Sequence, residues 1–501
     1  MNNDPASNRD ASQLVGIVSA RIVKRGRWGW VFSWLGLIGL AGMVIPPCMT
    51  DRPVGPATIF YYTFIICVLL LAVMGRRYIM GGIGDPGLLF ALMFLLYNVG
   101  LMVEFGWQAL AGSLEFRYYG GDYGINDMGA IARCVAAAAA GLCMGMFLLS
   151  GRSTKRRPIE NPHSLLTPHL ATHLFSLGAI CLVSVMLLTV LIVVGTGGIT
   201  AFLASARSGA GGRINPSIAL GIGIPLVPFS IAGIACMVTG FYAAPVRRRV
   251  LLFIVIIVLF TVFNFVQGVR HLAAYLVVMV FGAYATFIKP KRGQLIKLAL
   301  FALCIYVLFA FVSGIRWILP DYFGGRASSS EVSEVIKSFS RSGLLPSRNE
   351  FSGPYFTILE TWSNPSELRR GVTYASAVLS ILPTSLYPGA KPSGLAADFA
   401  FEIGQRWRSL EGIGFGYSPV AEALVNYGFW GIPVVFIGWA LVWHGVGAWR
   451  RRHLFANLAC LVLLPQVLNA NRYSLDGVLQ EAIYALVAVY VLYLIARRRA
   501  T

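Results

Sequence analysis

Apolar residues in this chain arrive in blocks of roughly twenty, and each block is closed by basic residues, proline or glycine. Inside a block there is no polar stripe at helical spacing, so every face of the resulting helix suits hydrocarbon better than water. A helix of about 20 residues crosses the ~30 Å core of a bilayer. The pattern predicts spans at about Trp28–Ile45, Thr58–Met74, Gly87–Val103, Met128–Leu149, Leu174–Val194 and Ile218–Tyr242. It continues with Leu251–Val266, Leu272–Ile288, Leu295–Ser313, Val420–Trp443, Leu454–Leu468 and Val478–Ile495. The expected architecture is therefore an all-α polytopic membrane protein of about 12 transmembrane helices. Pro46–Pro47 stops the first span, Pro225 and Pro228 predict a kink in the sixth, and the run Ala136–Ala140 suits close helix packing in the fourth.

One stretch breaks the pattern. From Arg316 to Tyr417 the chain is largely polar, and it re-enters the apolar regime through LEGIGFGYSPVAEALVNYGFWG, Leu410 to Gly431. The organisation expected is a tail at 1–27, helices 1–9 over 28–314, a long loop at 315–417, and helices 10–12 with a short C-terminus over 418–501. Within the loop, SSSEVSEVIKSFSRSG and NPSELRRGVTYASAVLSIL read as short helices lying on the membrane surface, the second with Asn364 or Ser366 as its N-cap. No internal repeat is visible, and the two halves are unequal, which counts against a transporter built from paired halves.

Charge fixes the orientation. Of all residues 57% are hydrophobic and only 12% charged, with a net charge of +20 and a mean hydropathy of +0.70. The basic clusters (Arg21–Arg27, Arg76–Arg77, Arg152–Arg157, Arg247–Arg249, Lys289–Arg292, Arg450–Arg452 and Arg497–Arg499) all fall on one side if the spans alternate. That is the positive-inside pattern, and it puts both termini inside and the long loop outside. The positive balance is thus an orientation signal and implies no nucleic-acid partner. The eight cysteines are scattered, mostly within spans, and neither a CxxC pair nor a Cys/His cluster suggests a metal site. His163, His169 and His173 lie together on the inner side at loose spacing and read as a solvated loop.

Ionisable residues at membrane depth are costly, so each one needs an account. Glu422 lies about one turn into the tenth span. It reads either as a structural carboxylate paired with an arginine or as a desolvated base that accepts a hydroxyl proton. Asn426 shares its helix face and either holds a sugar hydroxyl or orients Glu422. Tyr417 and Ser418 stand just before it. Asp398, Glu402, Glu411 and Glu104 are competing bases. Arg270 sits in the tight turn between spans 7 and 8, where a snorkelling interfacial side chain is the plainer reading. Arg207 and Arg213 in the Gly-rich third outer loop, with Arg316, Arg369, Arg370 and Arg472, complete the outer guanidiniums. Arginine forks match phosphate oxygens, and several converging ones would suit a lipid-linked diphosphate, while any single one reads equally as half of a structural salt bridge. GIGFG, Gly412 to Gly416, follows no strand, so it reads as a flexible approach rather than a nucleotide loop. Trp362, Tyr374, Trp407 and Tyr417 give the loop aromatic faces compatible with sugars.

The order SLYPGAKPSG followed by GIGFGYSPVAEALVNYGFWG resembles the Wzy-type O-antigen polymerases, the oligosaccharide repeat-unit polymerases of bacterial surface polysaccharide synthesis. The turn QGVRHLAAYLVVMV is similar to the Gly-x-Arg turn of that family. The resemblance is carried by about Tyr374–Gly438 and is topological elsewhere. It implies a fold akin to the lipid-dependent C-type glycosyltransferases and a protein of the bacterial inner membrane with both termini cytoplasmic. It also implies metal-independent polymerisation of undecaprenyl-diphosphate-linked repeat units at the periplasmic face, without a cofactor; with Glu422 or a loop carboxylate taking the acceptor hydroxyl's proton, the expected transfer is inverting. The partners implied are the lipid-linked glycans and the bilayer, with a chain-length regulator and a flippase. Glu422 and Arg270 are then the catalytic candidates. Arg207, Arg213, Arg316, Arg369, Arg370, Arg472, Asn426, Tyr417 and Ser418 are the substrate-binding ones. The sequence departs from the Arg-x10-Gly spacing of some members: Arg213 reaches Gly223 one residue early, and Arg369 and Arg370 reach no glycine at that distance. Three rivals stand beside this reading: an O-antigen ligase acting on lipid A core, whose loop often carries a histidine that Arg316–Tyr417 lacks; a lipid-linked oligosaccharide flippase or other transporter; and a structural membrane anchor, which leaves the loop's Trp and Tyr residues unexplained.

Overall fold

The computed structural model describes residues 28–43, 55–113, 115–118, 121–150, 166–195, 226–266, 270–287, 303, 322, 327–342, 352–365, 367–383, 386, 394–406, 416–450 and 453–500. Apolar helices come first: α1 (Trp28–Met43), α2 (Pro56–Gly81) and α3 (Pro86–Leu110). A hairpin, β1 (Glu115–Tyr118) and β2 (Gly121–Gly124), leads into α4 (Ile125–Ser150), α5 (Pro168–Gly195), α6 (Val227–Ala243), α7 (Arg247–Val266) and α8 (Arg270–Phe287). Four loop helices follow: α9 (Ser329–Ser342), α10 (Ser352–Ser363), α11 (Val372–Leu379) and α12 (Leu395–Arg406). The chain ends with α13 (Pro419–Trp449), α14 (Leu454–Asn469) and α15 (Leu475–Ala500).

Among the described residues, six helices (α2, α3, α4, α5, α13 and α15) are long and apolar enough to cross a membrane. Shorter apolar helices, α1, α6, α8 and α14, pack among them. The ninth predicted span, Leu295–Ser313, lies outside the described residues but for Leu303. Several boundaries differ from the sequence reading. Helix α2 runs on past Met74 to carry Arg76 and Arg77. Pro228 stands in the first turn of α6, where its missing N–H costs no hydrogen bond, so it starts the helix instead of kinking it; Pro225 lies outside the described residues. The β1–β2 hairpin, paired antiparallel with Phe116 opposite Tyr123, was not anticipated.

The centre of the bundle is α4, with 78% of its apolar window buried. The alanine run and the glycines of this helix let α13 approach at backbone distance. A Cβ on Gly141 would stand 2.4 Å from the Pro433 carbonyl oxygen, and one on Gly145 2.6 Å from the Ala440 methyl. The α5–α6 pair uses the same device, with Gly178 against Gly233 and Met237, and Gly240 against Ala171 and Phe175. In hydrocarbon there is no water to drive helices together, so such close van der Waals contact supplies much of the cohesion. Large side chains such as Leu191, Leu251 and Val434 face outward, as a lipid-exposed surface requires.

One end of the bundle is closed by charge. The Arg77 guanidinium, buried with its partner, donates to Asp85 from Nε to Oδ1 at 2.6 Å and from Nη2 to Oδ2 at 3.0 Å. It also donates to the Trp443 carbonyl at 3.2 Å and meets His444 Nδ1 at 2.9 Å. Asp85 is also the N-cap of α3, accepting from the Leu88 amide at 3.1 Å. Removing one partner strands a buried charge at a cost of about 3 kcal/mol. Asp85→Ala is therefore expected to lower the thermal midpoint of the detergent-solubilised protein, and the apolar pair Arg77→Leu/Asp85→Leu to recover most of the loss. A single variant as stable as the parent would refute the clamp.

Candidate functional site

The opposite end is built around the start of α13. Ser418 is the N-cap, its hydroxyl accepting from the Val420 amide at 3.2 Å, and Pro419 follows in the first helical turn. This places Glu422 in the first turn, where the helix dipole favours a carboxylate. The side chain is 2% exposed. Oε1 accepts from the Thr373 hydroxyl at 2.9 Å and Oε2 from the Leu475 amide at 2.9 Å. One carboxylate thus joins three pieces of chain: α13, the loop helix α11 and the start of α15. Among the described residues no guanidinium is paired with it, and both of these donors are neutral.

Two turns later α13 breaks. Gly428 has φ 68° and ψ −169°, a conformation open to glycine and strained for other residues. The break frees the carbonyls of Val425 and Asn426, and the loop fills both. The Arg369 amide donates to Val425 O and the Arg370 amide to Asn426 O, each at 3.0 Å. Asn426 completes the clasp: Oδ1 accepts from the Gly371 amide at 3.0 Å, and Nδ2 donates to Thr373 Oγ1 and to the Glu422 carbonyl, each at 2.7 Å. To make these contacts the loop turns through Arg370 at φ 46° and Gly371 at φ 88°. A Cβ on Gly371 would lie 2.5 Å from the Tyr427 hydroxyl. The turn also explains why the expected helix from Asn364 begins only at Val372, with Gly371 as its N-cap: the left-handed pair cannot be helical.

Two further elements brace the site. Helix α10 is inserted against α3, α4 and α13. Its Thr357 hydroxyl accepts from the Ser418 amide at 2.9 Å, and its Thr361 hydroxyl meets Tyr417 Oη at 2.9 Å. Glu360 on the same helix accepts from Tyr123 of the hairpin and from Asn364. On the other side, the turn between α14 and α15 presents the Arg472 carbonyl to the Tyr417 amide at 2.8 Å. Gly416, at φ 74°, allows this approach, since a Cβ there would stand 2.3 Å from the same oxygen. Beneath that turn, Asn469 accepts from Tyr275 Oη at 2.7 Å and donates to Glu481 Oε2 at 2.7 Å and Gln466 Oε1 at 3.0 Å.

The structure therefore brings Tyr417, Ser418, Glu422, Asn426, Arg369 and Arg370 into one assembly. Arg369 is half-buried and Arg370 exposed. The Arg472 guanidinium lies over the Tyr473 ring at 5.3 Å, and its backbone, more than its charge, joins the site. Burial, only partly offset by the Thr361 hydrogen bond and the Arg369 charge, pushes the Tyr417 phenol up to about 12. Asp398 and Glu402 lie on α12, and the Glu402 charge reaches Tyr417. Arg207, Arg213, Arg316, Glu411 and His163 lie outside the described residues, and Arg270 is described only as the first residue of α8. No metal-holding group of His, Cys, Asp and Glu occurs among the described residues. Sequence reasoning missed Thr373, Thr357, Leu475 and Glu481. The signal for Thr373 was present in Arg369-Arg370-Gly371, a turn followed two residues later by a hydroxyl.

Fold and site together define a helical protein with membrane-crossing helices and an enclosed carboxylate, clasped by a loop, at one end of the bundle. Over residues 391–500, about a fifth of the chain, it matches the family described as O-antigen polysaccharide polymerase Wzy. This is the family that the sequence resembles, and the matched stretch contains α12 to α15 and Glu422. Searches of curated proteins and of solved structures give no significant match.

The clasp has a direct test. Asn426→Ala removes the acceptor for the Gly371 amide and the donor to Thr373, each hydrogen bond contributing about 1 kcal/mol. Amide hydrogen exchange over 372–379 is expected to speed up by roughly tenfold while α4 stays protected, and unchanged exchange in α11 would contradict the arrangement.

Proposed function

We propose that the chain polymerises oligosaccharide repeat units of a bacterial surface polysaccharide, taking both donor and acceptor as prenyl-diphosphate-linked glycans. The observation that carries this reading is the position of Glu422: enclosed, oriented by Thr373 and the Leu475 amide, tethered beside Arg369 and Arg370, and inside the stretch matched to the polymerase family.

The chemistry follows from those groups. An acceptor sugar hydroxyl attacks the anomeric carbon of the donor chain from the face opposite its phosphate. The new C–O bond forms as the bond from carbon to phosphate oxygen breaks, and the electron pair leaves with the prenyl diphosphate. Glu422 takes the hydroxyl proton, a contribution worth about 10²–10⁴ in rate. Each carboxylate oxygen already accepts one hydrogen bond but keeps a second lone pair for this task. Arg369 and Arg370 neutralise the charge that grows on the leaving diphosphate, with Arg207, Arg213, Arg270, Arg316 and Arg472 as the remaining candidates. On this reading the site lies at the outer, periplasmic face of a bacterial inner membrane, within twelve spans of a C-type glycosyltransferase-like fold.

Purified protein with lipid-linked repeat units, extracted from cells lacking it, is expected to give a ladder of products on a gel. A single addition to lipid A core would instead indicate a ligase, and no covalent product would indicate a transporter. Glu422→Gln preserves the shape: the amide oxygen can accept from Leu475 N–H while its NH₂ faces Thr373 Oγ1. Its expression and thermal midpoint should match the parent and its ladder should fall at least ~100-fold. Retained polymerisation would remove Glu422 from the chemistry.

A further inference from the structure

Tyr374, the third residue of α11, is not needed by the chemistry above. Its ring stacks on Tyr427 with centroids 5.9 Å apart and planes 14° from parallel. Its hydroxyl is shut off from solvent and finds no hydrogen-bond partner among the described residues. A buried hydroxyl left unmade costs about 1–3 kcal/mol, and native structures keep such groups where something else completes them. Its neighbours are those of the site: Thr373 beside it bonds Glu422, and the Glu422 charge and the Tyr417 and Tyr427 phenols all act on it. Burial first, and then the Glu422 charge, hold the Tyr374 phenol above its ordinary range, so at neutral pH it is a proton donor and not a phenolate.

What completes such a donor is set by its surroundings. The nearby carboxylate makes this a poor place for a phosphate oxygen. A sugar hydroxyl suits it, since that group can accept from a phenol and donate to a carboxylate at once. Tyr427, 47% exposed, adds an aromatic surface of the kind that packs on sugar rings. We propose that the Tyr374 hydroxyl is a substrate-binding group, donating a hydrogen bond to a hydroxyl of the acceptor glycan held beside Glu422. This rests on the polymerase reading for its ligand, and on the unpartnered hydroxyl for its place.

Tyr374→Phe deletes only the oxygen and keeps the stack on Tyr427. In the full-length protein, without substrate, the thermal midpoint is expected to hold or rise, because an unsatisfied donor has been removed. With extracted lipid-linked repeat units, KM for the ladder reaction should rise about tenfold with kcat changed less. A lowered midpoint would make the hydroxyl a structural group and overturn the proposal, as would unchanged KM beside a normal ladder. If the parent forms no ladder, the polymerase reading falls and the contact is judged by binding alone. A midpoint rise given by the extract to the parent but not to Tyr374→Phe sustains the contact. Equal shifts, including none in either protein, overturn it. So does loss of a shift produced by inorganic pyrophosphate, which would assign the hydroxyl to phosphate.

Discussion

A helix broken inside a membrane protein leaves carbonyl groups with no amide to meet them, and hydrocarbon offers no water in exchange. At Gly428 that difficulty is met by the loop, whose Arg369 and Arg370 amides take the carbonyls of Val425 and Asn426. The exchange is specific. It demands that the loop pass at backbone distance and turn through two left-handed residues, Arg370 and Gly371. It also carries two guanidiniums and the start of α11 to the same place. The break and the loop therefore stabilise each other, and neither conformation is comfortable alone.

The rest of the site follows from this exchange. Once 369–371 is fixed, Thr373 falls within reach of both Asn426 and Glu422, and its single hydroxyl serves both, accepting from one and donating to the other. The piece of α13 before the break is then held at each end, by Thr357 and the Ser418 cap at its start and by the clasp at its finish. Leu475 reaches the remaining Glu422 oxygen because the α14–α15 turn is drawn in by the bond between Tyr417 and Arg472. The role proposed for Glu422 needs this kind of support: its orientation is set by groups that have little freedom of their own.

Much of this was legible in the chain. Block length and charge clusters gave membrane-crossing helices because burial in lipid leaves so few choices of structure. Ser418–Pro419 announced the start of α13, and Glu422 was singled out because a carboxylate in an apolar block is expensive. The partners were not legible. Sequence gives the period of a helix but not which distant amide will face its end, so Leu475 and Thr373 went unnamed. The arginines were read for their side chains, whereas Arg369, Arg370 and Arg472 enter first through their backbones. Arg77 was read as a surface orientation charge, yet it is buried against Asp85, since α2 extends about two turns further than its apolar block.

The enclosure of Glu422 bears on how a large substrate reaches it. On the proposed reading, a lipid-linked glycan cannot meet a carboxylate 2% exposed unless something yields, and α13 and α15 pack along α4 and along α5, α6 and α14. The element that covers Glu422 is α11, eight residues long. It is tied down by the clasp at one end and by the Tyr484 hydroxyl on the Ile381 carbonyl at the other. Its outer side carries Val372, Val378 and Leu379, which are 61%, 58% and 48% exposed. Apolar side chains turned outward on a membrane protein find hydrocarbon, not water, so lifting α11 toward lipid costs little solvation. The same movement would open the site sideways, where the proposed substrate's prenyl tail would lie. On the proposed reading, a few hydrogen bonds between α11 and the bundle, rather than any rearrangement of the spans, set the barrier to substrate entry.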